Sequence, residues 1–415
     1  MPAAVTPAPT RKCRRVIRCV GELVRTGILH DTGFENCRTV VNLNLDITLV
    51  RIKEMNFRLR KMRALATAKA AGVDGLLVTH LPDVRYLSGF TGSNAALVLT
   101  SGRAVLFTDG RYTGQAKAEA VGSRVVIAKE SAVATACKWM ENAKVRRCGF
   151  DAAHTTVAGL NAMRKAVSGK ARRGLFVPVE SVVSRLREVK DSDEIGKIRA
   201  AASLGCQLFE GMLSYLEPGL TETAVAATLE YAARLGGAEG MSFETIVASG
   251  KRSALPHGRA TGAKVPSRGF VTLDFGVILD GYLSDMTRTV HMGKAMPVER
   301  DVYDFVLEAQ EAAVAAVAPG VTAGEVDEAA RSVLRRVKLD TYFSHSTGHG
   351  VGLEIHEGPR LAAKQKQVLE QGMVITIEPG VYMPGRFGLR IEDMVLVTAT
   401  GGEVLTPSIK AWTEL

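Results

Sequence analysis

Apolar positions first take on a helical period near Met62. Met62, Leu65, Ala66 and Ala70 fall on one face of a helix predicted to end near Gly72. Gly75-Leu76-Leu77-Val78 is continuously apolar, the pattern of a buried strand. The mixed stretch 84–94 predicts a turn-rich connector. Two short apolar runs, 95–99 and 104–108, flank Ser101-Gly102 and predict a hairpin, with Asp109-Gly110 as a further turn. Helical and strand segments then alternate to about Val183, which predicts an α/β domain. The acidic stretch Lys190-Asp191-Ser192-Asp193-Glu194 supplies helix N-cap candidates and first-turn carboxylates. The domain boundary is placed there, dividing the chain into 56–186 and 187–415.

The second part contains an internal repeat. Glu217-Pro218-Gly219-Leu220-Thr221 opens a helix running to Gly236-Gly237, and Ala318-Pro319-Gly320-Val321-Thr322 opens another. Thr322 and Glu325 have the spacing of a capping box, and Val326, Ala330, Val333 and Val337 mark one face. Each helix leads to a phenylalanine, Phe243 or Phe343, and the Gly-to-Phe intervals are 24 and 23 residues. A histidine before a Gly-containing turn follows in each copy, His257-Gly258 and His356-Glu357-Gly358. Two such halves can face each other across a pseudo-two-fold axis.

Chemistry concentrates in this part. The stretch 342–357 holds His345, His349 and His356, three of the chain's eight histidines, around Gly348, Gly350 and Gly352. Glycine weakens helix and strand alike, so the alternation predicts close approach of backbone or ligand. We expect these glycines to let a substrate backbone reach the site. Residues 271–277 alternate like a strand, and Asp280-Gly281 is a hairpin dipeptide. A two-residue turn sets Asp274 opposite Thr287 and puts Asp285 on the same face, one diagonal away. Two carboxylates that close need a proton or a cation between them; the other reading is two aspartates on a solvated face. Residues 373–380 form an apolar strand ending on Glu378, and 389–397 a second strand with Glu392 inside it. Burying Glu392 requires Arg390, a metal, or both. Asp274, Asp285, Glu378 and Glu392 with the His349 imidazole suit a pair of divalent ions such as Mn²⁺, with Co²⁺ or Zn²⁺ as competitors.

Composition narrows the classes. An apolar fraction of 46% is that of a globular protein, and no run of about 18 apolar residues offers a membrane span. The net charge is +10, but outside 11–15 and 58–63 the basic residues are interspersed with acid, which argues against nucleic acid as a partner. Six cysteines in 415 residues make no disulfide framework, so reduced thiols and a cytoplasmic location are expected. Residues 1–55 show no clean period and are expected to be a disordered extension or a mis-called start.

Taken in order, Leu273-Asp274-Phe275-Gly276, Ser284-Asp285-Met286-Thr287-Arg288, His345-x-x-x-His349-Gly350, His356-Glu357-Gly358, Glu378-Pro379-Gly380 and Arg390-Ile391-Glu392-Asp393 closely resemble the pita-bread metallopeptidases. Tyr86-Leu87-Ser88-Gly89-Phe90-Thr91-Gly92-Ser93 and Asp109-Gly110-Arg111-Tyr112 resemble that family's creatinase-type N-terminal domain, so the likeness covers 56–415. It implies an α/β (α+β) chain: a creatinase-type α/β domain over 56–186, then a pita-bread catalytic domain over 187–415 with its pseudo-two-fold repeat. It implies a dinuclear Mn²⁺ hydrolase of Xaa-Pro bonds: an Xaa-Pro aminopeptidase, with an Xaa-Pro dipeptidase (prolidase) as the alternative. Asp274 would cap one ion, His349 and Glu378 the other, and Asp285 and Glu392 would bridge them. His257, His345 and His356 match the substrate-site histidines, Glu378 would also take a proton, and Arg390 would orient Glu392 or a neighbour. A proline-containing peptide is the implied partner, in a homodimer or larger homo-oligomer. All five ligand positions are intact, which sets aside a catalytically silent binding or chaperone-like homologue.

Overall fold

A computed structural model of the chain describes residues 56–169 and 174–415. They belong to two compact units, one ending at Arg187 and the other Glu188–Leu415. The expectation for residues 1–55 lies outside the described residues. Among the described residues no helix is long and apolar enough to cross a membrane.

The first unit begins with helix α1 over 56–70. It buries Phe57, Arg60, Ala64 and Ala68, not the predicted face, and Met62 is 57% exposed. The reason lies in Arg60, which a hydrophobic pattern counts as polar. Its guanidinium lies 4.5 Å from the Tyr86 ring centroid and donates to the Tyr86 carbonyl at 3.1 Å, so this cation faces inward. Strand β1 (Gly75–Val78) follows as predicted. The predicted connector is largely helix α2 (Leu81–Ser88), started by a proline in its first turn and closed by Gly89 at φ 81°. Strands β2 (Ala95–Thr100), β3 (Arg103–Asp109), β4 (Arg124–Ala128), β5 (Cys148–Asp151) and β6 (Phe176–Val179) complete a six-stranded sheet in the order β4-β3-β2-β1-β5-β6. The β2–β3 hairpin stands where expected, with Thr100 opposite Arg103.

The second unit repeats one arrangement twice. In the first half, α3 (Ser192–Leu213) and α4 (Glu222–Leu235) cover β7 (Ile246–Ser249), β8 (Gly269–Phe275) and β9 (Met286–Met292), which pair antiparallel in the order β9-β8-β7. Leu208, Phe209, Val225 and Leu229 from the helices share a core with Val247, Val271 and Leu273 from the strands. In the second half, α5 (Pro297–Ala315) and α6 (Ala323–Arg336) cover a five-stranded sheet. Its strands are β10 (Gly348–Gly350), β11 (Glu357–Leu361), β12 (Val374–Ile377), β15 (Asp393–Val397) and β16 (Gly402–Val404), with a separate pair β13 (Gly380–Met383) and β14 (Phe387–Arg390). Val306, Val326 and Ala330 there pack with Ile375, Ile377 and Val395. Asp191 and Glu194 form the capping box of α3, and Thr322 and Glu325 that of α6.

Two local features place the site. The Asp280-Gly281 turn has φ 48° and 73°, the signature of a two-residue hairpin turn, and it sets Asp274 opposite Thr287. The strand predicted over 389–397 is instead two strands in different sheets, with Ile391 and Glu392 at the break. The Glu392 amide leaves the ladder to donate to the Thr287 carbonyl at 3.1 Å, and Arg288 Nη1 grips the Glu392 carbonyl. Arg288 is 1% exposed, and its Nη2 donates to Asp393 Oδ1 (2.7 Å) and to the Thr406 (2.7 Å) and Ser408 (3.0 Å) carbonyls. Burial raises the Asp393 carboxyl, but Arg288 and Lys410 outweigh it and hold the group below the usual range. Removing one partner of a buried pair leaves the other charge uncompensated. Arg288→Met should therefore lower unfolding free energy by about 3 kcal/mol, read as a fall in urea midpoint at constant m-value.

Candidate metal centre

The nine residues singled out by sequence line one cavity of about 780 Å³: His257, Asp274, Asp285, His345, His349, His356, Glu378, Arg390 and Glu392. The first half supplies His257, Asp274 and Asp285 and the second half the rest, so the site forms between the halves. Asp274 and Asp285 are 7% and 4% exposed, which rules out the solvated-face reading.

The carboxylates converge on one imidazole. His349 Nε2 lies 3.6 Å from Asp285 Oδ2 and 3.6 Å from Glu378 Oε1. Ligand atoms of Asp285, His349 and Glu392 all lie within 4.8 Å of one another. His349 Nδ1 is 3.1 Å from the Gly350 carbonyl, and only an N–H can satisfy that contact. Nδ1 therefore carries the hydrogen, and the Nε2 lone pair is aimed at the acids.

Such a cluster is electrostatically unbalanced. Burial and then the neighbouring Glu392, Asp274 and Glu378 charges push the Asp285 carboxyl well above its ordinary range. Burial, Glu378 and Asp274 do the same to Glu392, and burial first of all raises Glu378 to about 7. Burial lowers His345 and His349 to about 4, so both rings are neutral at neutral pH. Asp274 Oδ1 is buried and accepts no hydrogen bond. Hard oxygen donors that repel one another, an orphaned carboxylate oxygen and an imidazole lone pair facing them fit a divalent cation.

Arg390 does not pair with Glu392. Its Nη2 binds Asp274 Oδ2, Nη1 donates to the Tyr382 hydroxyl (2.5 Å) and to the Pro256 carbonyl (3.2 Å), and Nε donates to Thr287 Oγ1 (3.0 Å). Thr287 passes its own hydrogen to Glu392 Oε2 at 2.7 Å, so Arg390 reaches Glu392 only through that hydroxyl. His345 is held at both ring nitrogens, by the Ser346 carbonyl (2.8 Å) and the Tyr382 hydroxyl (3.0 Å). The His356 ring stands edge-on to His349 with centroids 4.5 Å apart.

Sequence reasoning missed Tyr382 and Thr376. Thr376 Oγ1 accepts from the His349 amide at 3.1 Å, and its hydroxyl in an apolar strand was the only signal. Tyr382 gave no signal, since a tyrosine in a short strand is ordinary. The glycines also serve a different purpose. A Cβ at Gly348 would overlap the Thr376 carbonyl, and one at Gly350 the Gly358 carbonyl. At Gly348 and Gly350 they let neighbouring strands come close enough to bring His349 beside β12.

Without a cation, folding must tolerate these shifts. A carboxyl raised in the folded state stabilises it below the unfolded value of 4.5, and that stability is lost as pH rises through about 7 for Glu378. The lowered histidines act in the opposite sense, but only between about 4 and 6.5. Above pH 6.5 nothing from these two rings opposes the loss. Chelator-treated protein should thus fall in Tm as pH rises from 6.5 through 7 and higher, while Mn²⁺-loaded protein should hold its Tm over that window.

Residues 58–189 match the creatinase/prolidase N-terminal domain and residues 196–399 match metallopeptidase family M24. The chain is 36% identical over 335 residues to the Xaa-Pro dipeptidase of Pyrococcus horikoshii, covering 80% of this chain and 93% of that one. Its fold matches the Xaa-Pro dipeptidase from Bacillus anthracis with a TM-score of 0.84 at 39% identity, over 87% of this chain and 100% of that chain. The X-Pro aminopeptidase from Thermotoga maritima matches with a TM-score of 0.78 at 34% identity, over 84% and 100%. Family M24 enzymes bind divalent metal ions, and Asp285, His349 and Glu392 form a group here that could hold one. The pita-bread architecture, the creatinase-type first unit and the ordered Asp, Asp, His, Glu, Glu set place this chain in metallopeptidase family M24, as a hydrolase among its Xaa-Pro peptidases.

Proposed function

We propose that the chain is an Xaa-Pro dipeptidase, rather than the aminopeptidase that its motifs first suggested. Asp274, Asp285, His349, Glu378 and Glu392 would hold two divalent ions, Mn²⁺ before Co²⁺ or Zn²⁺. Bound there, the ions would polarise the scissile carbonyl and acidify a water. The chain's own residues do the rest. His257 and His356 border the cavity, where an imidazole can hold a developing oxyanion or protonate the proline nitrogen as it leaves. Burial keeps the His345 ring neutral, and the Ser346 carbonyl and Tyr382 hydroxyl fix its orientation on the cavity wall. Arg390 holds Asp274 and, through Thr287, Glu392.

Arg360 carries the choice of dipeptide. Its Cα is the cross-strand partner of His349, and the residue is exposed on the cavity wall. Of the other lining arginines, Arg259 pairs with Glu244 at 2.9 Å and Arg390 is committed to Asp274. A cation beside the centre suits the free carboxylate that a dipeptide ends on and a longer peptide lacks at that point. The similarity to two Xaa-Pro dipeptidases supports the same reading.

Three outcomes test it. Mn²⁺-loaded protein should cleave an Xaa-Pro dipeptide at least about tenfold better, in kcat/KM, than the matching Xaa-Pro-Yaa tripeptide; the reverse order returns the reading to an aminopeptidase. Arg360→Ala should raise KM for the dipeptide about tenfold or more while leaving the tripeptide within about twofold. Glu392→Ala should abolish hydrolysis of both and lower Mn²⁺ stoichiometry by metal analysis. Wild-type protein that binds no stoichiometric metal would instead be a silent homologue.

A further inference from the structure

Each half of the second unit buries, among other acids, a helix-borne carboxylate that lies outside the metal centre and is bonded to a histidine-bearing segment. Glu222, the first residue of α4, is 0% exposed. Asp327, in α6, is 1% exposed. The two occupy different positions along their helices, yet their surroundings correspond.

Glu222 ties together the ends of the segment that carries His257. It accepts from the Ser249 amide (2.9 Å) and hydroxyl (2.9 Å) at one end, and from the Thr261 amide (3.1 Å) and hydroxyl (2.8 Å) at the other. Arg252 Nε adds a charged donor at 3.0 Å, and its Nη2 reaches on to the Arg259 carbonyl at 2.7 Å. Asp327 does the same for His345. It accepts from the Thr347 amide (3.2 Å) and hydroxyl (2.8 Å), and from Arg331 Nε at 2.8 Å. Arg331 then donates to the Phe343 carbonyl (3.2 Å) and the His345 carbonyl (2.5 Å). In each half a helix-borne carboxylate, an arginine and a backbone carbonyl form one chain of charge-assisted bonds that ends beside a cavity histidine.

We infer that Glu222 and Asp327 are positioning residues for His257 and His345 respectively, each acting only within its own half. A loop held loosely spreads its histidine over orientations that do not react, and small misplacements near a reacting bond are costly. Every partner of Glu222 is a donor, so a glutamine there turns an N–H toward an N–H. The inference rests on the peptidase reading for its kinetic arm and on the fold alone for its exchange arm.

The experiment is a set of double-mutant cycles on the Mn²⁺-loaded full chain, with amide hydrogen exchange beside it. Glu222→Gln should lower kcat/KM about tenfold with Mn²⁺ stoichiometry unchanged, and the loss should shrink to less than about twofold in a His257→Ala background. Asp327→Asn should behave likewise with His345→Ala, while the crossed pairs should multiply. Exchange should quicken over 249–261 in Glu222→Gln and over 343–347 in Asp327→Asn, each without the other. Losses that multiply within a half, or vanish in a crossed pair, overturn the inference, as does exchange that quickens in both segments together. Should Glu222→Gln fail to fold, Thr261→Val removes one strut and runs through the same cycle, with a loss of about threefold expected. An inactive wild type would count against the peptidase reading, and the exchange result would then decide the positioning claim by itself.

Discussion

Four carboxylates that repel one another on the wall of one cavity are the constraint around which the second unit is built. Their repulsion is only partly relieved from within, since the one cation among them, Arg390, binds Asp274, lies 3.9 Å from Glu378 Oε2 and reaches Glu392 only through the Thr287 hydroxyl. Protonation can relieve it, and divalent ions held there would relieve it as well. The cluster is therefore weak as a stabilising device and strong as a receptor for cations. The fold supplies rigidity elsewhere: in apolar cores under each half and between them, and in buried ion pairs such as Arg288 with Asp393.

The internal repeat turns that repulsion into an assembly problem with a simple solution. Each half covers its strands with a pair of helices and presents a carboxylate-bearing edge. Asp274 and Asp285 come from a single hairpin whose two-residue turn sets their register. Glu378 and Glu392 come from a strand end and from a break between strands, and His349 from a short strand whose glycines let neighbouring carbonyls close in. Buried groups outside the cluster, Glu222 and Asp327, bond the segments that carry His257 and His345, so the histidines on the cavity wall and the side chains that hold their segments are different residues.

Much of this was legible. The β2–β3 hairpin, the α3 and α6 capping boxes and the Asp280-Gly281 turn are local: a few adjacent residues carry the backbone preference, and the structure agrees residue by residue. The residues that line the cavity were legible because each sits in a short motif of fixed spacing. What failed were inferences that treated polarity or alternation as sufficient. The face of α1 was misassigned because Arg60 packs inward on Tyr86. Residues 84–88 read as connector from their mixed polarity, yet Pro82 and Gly89 bracket a helix. Residues 389–397 alternate like one strand, yet the chain breaks at Glu392, where main-chain bonds to Thr287 and Arg288 compete successfully with the ladder.

The sequence by itself determined the class of chemistry and which residues meet in one cavity, because residue type, turn geometry and capping depend on neighbours in the chain. The tertiary structure alone decided who partners whom. That Arg390 binds Asp274 and reaches Glu392 only through Thr287, that Tyr382 steadies His345, that Arg360 stands across from His349, and that the alternating glycines serve strand packing are all consequences of contacts between residues distant in sequence. Such contacts are set by register and by the meeting of two halves, and a one-dimensional pattern of polar and apolar positions does not encode the distance across them.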